Sequence, residues 1–206
     1  MFVGFVCALF VLMQLKQEEA SATGVTIPAA RSEVEQLRHE LDSTAAELDI
    51  TRSTLQRAER ILALGTKFNV GTKLAAAIYD VALAEGLDPE LAFRVVRLES
   101  EFNPRAVSPV GALGLTQLML PTARHFRSDI TREQLFDPKT NLHIGFRYLR
   151  GLITEYDGDV RLALLVYNRG PVAVNAARAR GENPTNGYDR IVLKGYSGTG
   201  VIEREG

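Results

Sequence analysis

Apolar residues recur with three different spacings along the chain, and each spacing predicts a different kind of segment. Residues 2–13 are an unbroken apolar run, residues 34–62 carry apolar side chains at every seventh position, and from about residue 72 the spacing is that of amphipathic helices. The chain is therefore expected to comprise an N-terminal apolar segment (1–22), a linker (23–30), a long helix (31–65) and a mainly α domain (66–206).

The N-terminal apolar run has two interpretations. It is shorter than the roughly 20 residues of a membrane-spanning helix, and it has the length of the hydrophobic region of a signal peptide. Ala20-Ser21-Ala22 offers a cleavage site, whereas no Lys or Arg precedes the run and Lys16 lies close to that site. A cleaved signal peptide and an uncleaved membrane anchor through residues 2–15 both stay open. Either predicts export, to the periplasm or to the outer face of the cytoplasmic membrane.

The seven-residue repeat predicts a long helix with one apolar stripe. The repeat is formed by Val34, Leu41, Leu48, Leu55 and Leu62, with Leu37, Thr44, Thr51 and Ala58 at the complementary position. This is the a/d spacing of a coiled coil, and Glu33 with Arg38 and Glu47 with Arg52 would be attractive pairs in a parallel dimer. The alternative is a single amphipathic helix that packs on its own domain. We favour a homodimer through residues 34–62, and Gly65 is expected to end the helix.

The remaining apolar pattern predicts a succession of shorter helices. Asp88-Pro89-Glu90 combines a capping residue, a proline at the first helical position and an acid in the first turn, so a helix should begin there. That helix carries Leu91, Val95 and Leu98 on one face and reaches Glu99. Further helices are expected at residues 73–85, 117–127, 131–135, 139–156, 159–168 and 171–180, which makes the fold class mainly α.

Composition and charge exclude several functions. The formal net charge is −1 and no basic run is present, which argues against nucleic acid as a partner. The histidines, His39, His125 and His143, lack metal-ligand spacing, so neither a metal site nor a cofactor is predicted. Cys7 is the single cysteine, and therefore no disulfide can form within the chain.

Glu99 is the candidate for acid–base chemistry. It follows Val95, Val96 and Leu98 in an apolar stretch, so desolvation would raise its pKa and keep it protonated near neutral pH. A protonated carboxylic acid can donate a proton to a glycosidic oxygen. The ordinary alternative is a solvated glutamate at a helix end, which the residues that follow Glu99 make less favourable. Glu101 should point to another face and meet solvent.

Residues 98–123, LESEFNPRAVSPVGALGLTQLMLPTA, combine Glu-Ser-x-Phe, a glycine loop with Gly-Leu-x-Gln-Leu-Met, and Thr-Ala. Farther on come Phe136-Asp137-Pro138 and Tyr167-Asn168-Arg169-Gly170-Pro171. In these elements the chain resembles the catalytic domain of bacterial lytic transglycosylases of the soluble type, which is related to goose-type lysozyme. The resemblance covers roughly residues 72–193, and so many matches at fixed spacing are more specific than one short motif.

The resemblance implies a lysozyme-like catalytic domain that acts on peptidoglycan glycan strands. It implies cleavage of the β-1,4 bond between N-acetylmuramic acid and N-acetylglucosamine, with Glu99 as general acid and then as base, and formation of 1,6-anhydromuramic acid. The substrate-binding residues that it implies are Ser108, Gln117, Met119 and Tyr167, to which Ser100 and Asn168 are added as polar residues in or beside the loops.

The chain also departs from the family pattern. Thr116 stands where Met is more common, and Val166 replaces an Ala before Tyr-Asn. Before Tyr188 the family often has Glu-Thr-x-x-Tyr, and here Pro184 occupies the Glu position. Two other functions stay open, a goose-type hydrolase that releases a reducing end and a non-catalytic wall-binding protein whose coiled coil is the working part.

Overall fold

The structure is a computed structural model that describes residues 27–202. The prediction of a mainly α fold with a long N-terminal helix is confirmed, and within residues 27–202 the β contacts are isolated bridges. The helices are α1 (Ile27–Phe68), α2 (Thr72–Ala84), α3 (Pro89–Ser100), α4 (Leu120–Phe126), a 3-10 helix (Glu133–Phe136), α5 (Pro138–Glu155), α6 (Val160–Arg169), α7 (Pro171–Ala179) and α8 (Tyr188–Val192).

Most of the expected helices begin and end within a few residues of the observed ones, but three differences have physical causes. Gly65 does not end α1, because it is buried and Val70 folds back to donate its N–H to the Gly65 oxygen over 2.8 Å. The chain turns instead at Asn69, which has a left-handed φ of 54°. The helix expected at residues 131–135 is a short 3-10 helix at Glu133–Phe136, and α8 is too short for its periodicity to be recognised in sequence.

The chain divides into two units, Met1–Gln56 and Arg57–Gly206. In the first unit the described residues, 27–56, form one helical segment whose side chains are almost all exposed. Residues 27–30, which belong to the segment expected to be a linker, are helical. The predicted signal peptide or anchor, residues 1–22, lies outside the described residues.

The core of the second unit surrounds α3. Leu91, Phe93 and Val95 of this helix are buried in one apolar cluster with Phe146 and Leu149 of α5, which are also fully enclosed. Leu98, which was expected on the buried face, is 37% exposed because it lies at the end of α3 beside the surface. The core thus fixes the N-terminal two-thirds of α3 and leaves its last turn at the surface of the unit.

A second, smaller cluster supports the loop between α3 and α4. It consists of the buried apolar side chains Leu113, Leu118, Ala123, Ile130, Leu135 and Ile144. The loop is joined to α5 at Gly145, where an added Cβ would lie 2.6 Å from the Thr116 Cβ. Only glycine permits this approach without movement of Thr116.

Asn141 of α5 is the polar centre of this loop. Its Oδ1 accepts hydrogen bonds from the Thr116 N–H (2.8 Å) and the Thr116 hydroxyl (2.7 Å), and its Nδ2 donates to the oxygens of Leu113 and Leu135 (both 2.9 Å). Asn141 and Thr116 are both buried. Gly114 lies against this amide with a φ of +72°, and a Cβ there would meet the Leu135 oxygen at 2.5 Å. The buried amide therefore sets the path of residues 113–116.

We expect Asn141→Ala to lower the free energy of unfolding by about 3 kcal/mol, because it leaves several buried backbone and hydroxyl groups without partners. Urea denaturation followed by circular dichroism measures this change. Asn175→Ala, at an exposed position of α7, is the matched control and should change stability by less than about 0.5 kcal/mol. Equal, small effects of both substitutions would contradict the role of Asn141.

Candidate active site

Glu99 lies in the last turn of α3, and the sequence at both ends of this helix explains its position. Asp88 caps the start by accepting hydrogen bonds from the N–H groups of Glu90 (2.7 Å) and Leu91 (3.2 Å). At the other end Glu101 and Phe102 have left-handed φ values of 49° and 64°. Two consecutive residues of this kind are uncommon outside glycine and turn the chain sharply away from the helix.

The carboxyl group of Glu99 is partly buried and, within residues 27–202, has one hydrogen-bond partner, Tyr188. The Tyr188 hydroxyl donates to Oε1 of Glu99 over 2.5 Å. Burial disfavours the charged form and raises the pKa of Glu99 to about 7, while the bond from Tyr188 opposes that shift. Both protonation states of Glu99 are therefore populated at neutral pH.

Tyr188 is the site residue that reasoning from sequence did not assign. It is 7% exposed and begins α8, 89 residues after Glu99 in the chain. Burial raises its pKa well above 10, and the nearby Glu99 carboxylate adds to this effect, so its hydroxyl keeps its proton. The signal available in sequence was its place as the final tyrosine of the Glu-Thr-x-x-Tyr element, of which Pro184 and Thr185 occupy the first two positions.

Asp189, next to Tyr188, anchors the start of α8. Its side chain is fully buried, with Oδ2 2.5 Å from Nε of Arg161 and Oδ1 accepting from the Thr185 hydroxyl over 2.7 Å. Burial raises the pKa of Asp189, but the bonds from Thr185 and Arg161 outweigh it and keep the group charged. The ion pair thus fixes the orientation from which Tyr188 reaches Glu99.

Two serines predicted for the site hold the loop backbone. Ser100 is buried, and its hydroxyl lies 2.8 Å from the Leu115 oxygen and 3.1 Å from the Val96 oxygen. Ser108 is partly buried, and its hydroxyl oxygen accepts the N–H of Ala112 over 3.0 Å. Ser100 therefore connects the last turn of α3 to the loop, and Ser108 closes the turn at residues 108–112.

Gln117 and Met119 follow the loop on its way to α4. Gln117 has a left-handed φ of 48°, and its Nε2 donates to the oxygens of Gly114 (3.0 Å) and Ala106 (3.3 Å). These bonds use the amide nitrogen and leave its Oε1 free of any hydrogen bond within residues 27–202. Met119 is 40% exposed at the residue that precedes α4.

Tyr167 and Asn168 lie at the end of α6 and have different surroundings. The Tyr167 hydroxyl donates to the Thr116 oxygen over 2.7 Å, and its ring packs on Tyr148 with centroids 5.4 Å apart. Burial raises the pKa of Tyr167 well above 10, and the charge of Glu99 adds to this shift, which indicates that the two groups are near each other. Asn168 is exposed and accepts a hydrogen bond from Asn186 over 2.8 Å. The structure thus brings Glu99, Tyr167 and Tyr188 together and places Asn168 at the surface.

The arrangement can hold and release one proton in a partly desolvated place. Glu99 shares no hydrogen bond or ion pair with another carboxylate in the described part of the chain, since its partner is Tyr188 and Asp189 is committed to Arg161. The same residues hold no cluster of side chains with the composition of a metal site. The chemistry that the site supports is therefore general acid–base catalysis by a single carboxyl group.

Comparison with known proteins identifies the family of the chain. The family model described as the transglycosylase SLT domain matches residues 76–188, which begin within α2 and end at Tyr188. The chain belongs to the transglycosylase SLT domain family. Glu99, Ser108, Gln117, Tyr167 and Tyr188 all lie within the matched residues.

Relatives and solved structures agree with this assignment. The chain is 43% identical over 89 residues to the transglycosylase of Enterobacteria phage PRD1, covering 43% of this chain and 32% of that protein. It is 37% identical over 86 residues to the soluble lytic murein transglycosylase of Escherichia coli K12, covering 39% and 13%. The crystal structure of the 70 kDa soluble lytic transglycosylase SLT70 from Escherichia coli superposes with a TM-score of 0.51 at 30% identity, over 63% of this chain and 24% of that one. This SLT chain therefore spans about a third or less of the length of each of these proteins.

We expect Glu99→Gln to stabilise the protein at pH 8 but not at pH 4. A pKa raised from 4.5 to about 7 means that the folded state binds the proton more tightly, so the free energy of unfolding falls as pH rises from about 4.5 to 7. The full cost, at most about 3 kcal/mol, is present above pH 7 and is absent below pH 4.5. Glutamine removes that cost and still accepts the Tyr188 hydroxyl.

Urea denaturation of both proteins at pH 4 and pH 8 measures this difference. Glu101→Gln, two residues away and exposed, is the control and should leave the free energy of unfolding nearly unchanged at both pH values. If Glu99→Gln destabilised the protein at pH 8, the ionised carboxylate of Glu99 would not lower the free energy of unfolding.

Proposed function

We propose that this protein is a peptidoglycan lytic transglycosylase that cleaves the β-1,4 bond between N-acetylmuramic acid and N-acetylglucosamine. The observation that carries the proposal is Glu99, a partly buried acid with a pKa of about 7 and a single hydrogen bond, from Tyr188, inside a chain of the SLT family. An acid with this pKa can give up a proton and take one back at the same pH. A reaction that uses one group first as acid and then as base requires a group that can do both at one pH.

In the first step Glu99 protonates the oxygen that bridges the two sugars, and the bond from that oxygen to C1 of N-acetylmuramic acid breaks. The carbonyl oxygen of the substrate's own N-acetyl group forms a bond to C1 as the leaving sugar departs. Glu99 is then a carboxylate in a partly desolvated place, where the Tyr188 hydroxyl stabilises its charge over 2.5 Å. The acetamido group takes the part that a second carboxylate plays in most glycosidases.

In the second step the 6-hydroxyl of the same N-acetylmuramic acid attacks C1. Its proton passes to the Glu99 carboxylate, and the bond between C1 and the acetamido oxygen breaks. The products are a 1,6-anhydromuramic acid end and a free N-acetylglucosamine 4-hydroxyl, and no water is consumed. Glu99 ends the cycle protonated, as it began.

Neutral polar groups of the loop after Glu99 and of α6 suit the acetamido group of such a substrate. Oε1 of Gln117 and the lone pairs of the Tyr167 hydroxyl are free to accept hydrogen bonds, and Ser108 and the exposed Met119 flank the same loop. Because these groups add no charge, they can hold a sugar amide without changing the proton affinity of Glu99. Ser100 contributes by holding the Leu115 backbone oxygen, and Asn168 by accepting a hydrogen bond from the Asn186 side chain.

Export and membrane anchoring through residues 2–15 belong to the same proposal. Peptidoglycan lies outside the cytoplasmic membrane, so the enzyme has to be in the periplasm or on the outer face of that membrane. Residues 2–15 lie outside the described part of the chain. Among residues 27–202, no helix is both long and apolar enough to cross a membrane.

We expect the protein to release anhydromuropeptides from purified peptidoglycan, and Glu99→Gln to lower the rate at least about a thousandfold, because glutamine has no acidic proton to give to the leaving oxygen. Mass spectrometry of the soluble fragments distinguishes the products, since anhydro ends are one water lighter than hydrolysed ends. Glu101→Gln is the control and should release fragments at the normal rate.

Three other results would each redirect the assignment. Fragments with reducing ends would indicate a goose-type hydrolase with the same acid. Binding to peptidoglycan without release of fragments would favour a non-catalytic wall-binding protein. Near-normal turnover by Glu99→Gln would remove Glu99 from the reaction.

We expect Tyr188→Phe to move the alkaline limb of the pH–rate profile upward by about one pH unit. The Tyr188 hydroxyl stabilises the carboxylate of Glu99, so its loss raises the pKa further and keeps the acid form to higher pH. Tyr167→Phe is the control because its hydroxyl bonds to the Thr116 oxygen rather than to Glu99, and it should lower the rate without moving that limb. An unmoved limb in Tyr188→Phe would mean that Tyr188 does not set the pKa of Glu99.

A further inference from the structure

The a positions of the seven-residue repeat form an exposed apolar stripe on α1, and this stripe extends one heptad before Val34. Ile27 lies seven residues before Val34, so the a positions are Ile27, Val34, Leu41, Leu48, Leu55 and Leu62. Each of these side chains keeps between 48% and 77% of its surface exposed. Six large apolar residues in register along one face of a 42-residue helix form an apolar surface of the kind that marks an interaction site.

The d positions of α1 suit a buried seam despite two threonines. The hydroxyl of Thr44 donates to the Glu40 oxygen over 2.8 Å, and that of Thr51 donates to the Glu47 oxygen over 2.9 Å. Both hydroxyls are therefore satisfied within their own helix, and a partner would meet them without leaving a buried polar group unpaired. The small side chains of Ala30 and Ala58 complete this row.

The flanking charges favour one orientation of a second copy. In a parallel pair each g position faces the e position five residues later on the other chain, which joins Glu33 to Arg38 and Glu47 to Arg52. Glu40 would face Ala45, so no like charges meet at these positions. Arg52 lies 3.5 Å from Asp49 in the single chain, but its side chain is 63% exposed and stays within reach of a partner.

The antiparallel orientation is disfavoured by the same residues. There g positions face g positions and e positions face e positions. With helices centred on Glu40 this would place Glu40 against Glu40 and Glu33 against Glu47. Like charges across an apolar seam are repulsive, so the pattern selects against this arrangement.

A membrane surface fits the stripe less well than a second chain. Residues 27–56 contain three arginines, no lysine and six acids, a net charge of −3. Helices that lie on membranes are rich in Lys and Arg on their polar face, because lipid headgroups are commonly anionic. The acidic polar face of this segment would be repelled.

We infer that α1 pairs with a second copy of this chain as a parallel, in-register coiled coil from Ile27 to Leu62. The inference rests on the exposed stripe and on charge complementarity and is independent of the proposed reaction. Both chains leave the paired segment at the same end, so each assembly carries two catalytic units that follow that end. The pairing covers the apolar face that a single helix would leave in water.

Sedimentation equilibrium of the full chain in a density-matched nonionic detergent tests the number of chains. The expected result is twice the chain mass of 22.6 kDa. The double substitution Leu41→Asp with Leu48→Asp places charges on the seam and should halve the mass. The matched double substitution Ala46→Asp with Ser53→Asp lies on the opposite face and should leave it unchanged. A single-chain or three-chain mass, or equal masses for the two variants, would overturn the inference.

Cysteine cross-linking tests the orientation without destabilising the seam. In a Cys7→Ser background, Val34→Cys and Leu55→Cys each bring two thiols together in a parallel pair, and copper-phenanthroline should oxidise each variant alone to a disulfide-linked dimer. Ala46→Cys, on the outer face, should cross-link at least tenfold more slowly. A doubled mass without cross-linking of either seam variant alone would indicate antiparallel pairing and overturn the inference.

Two further measurements separate this inference from other outcomes. Glu99→Gln should keep the doubled mass, so a failure of the proposed reaction leaves the pairing intact. Binding of Cys7→Ser protein to lipid vesicles that protects Val34→Cys and Leu55→Cys from cross-linking would show that lipid covers the stripe instead.

Discussion

The site depends on the free-energy cost of ionising the Glu99 carboxyl group in a partly desolvated position. Burial raises its pKa to about 7, and a carboxylate there needs a donor that does not itself lose a proton. Tyr188 meets this need because its own hydroxyl is buried and its pKa lies well above 10. Asp189 and Arg161 in turn hold Tyr188 in place, at 2.5 Å from each other. An ion pair far from Glu99 in sequence thus contributes to the proton affinity of the acid.

The backbone around Glu99 adopts strained conformations, and the hydrogen bonds of Asn141 offset that strain. Glu101, Phe102 and Gln117 all have left-handed φ values without being glycine, and such conformations persist only where the surroundings determine them. Asn141 makes three side-chain hydrogen bonds to the loop and one to the Leu135 oxygen of the 3-10 helix, and the Tyr167 hydroxyl donates to the Thr116 oxygen. The loop is therefore held by polar groups from two different helices, α5 and α6.

Local signals in the sequence were sufficient for the elements that they control. The Asp88-Pro89-Glu90 start of α3 is a matter of neighbouring residues, and Glu99 follows from it by helical spacing and motif. Tyr188 was not assigned because its partner is 89 residues away and α8 is too short to show a period. Gly65 gave the wrong end for α1 because a glycine is read as a terminator when its packing is unknown; here its missing side chain lets Val70 and Ala75 approach. Tertiary contacts decided these cases, and one sequence does not display them.

Thr116 shows how a departure from the family pattern can be absorbed by the fold. In the family pattern the longer side chain of Met is more common at this position. Here Thr116 is buried, and its hydroxyl and N–H both donate to Oδ1 of Asn141. The short side chain fits because Gly145 gives α5 no Cβ at that point, with the Thr116 Cβ only 2.6 Å from where one would lie. Thr116, Asn141 and Gly145 therefore act as one unit, and a change at any of them alters the path of the oxygen that Tyr167 binds. Because Tyr167 lies beside Glu99, such a change reaches the acid through the backbone rather than through direct contact.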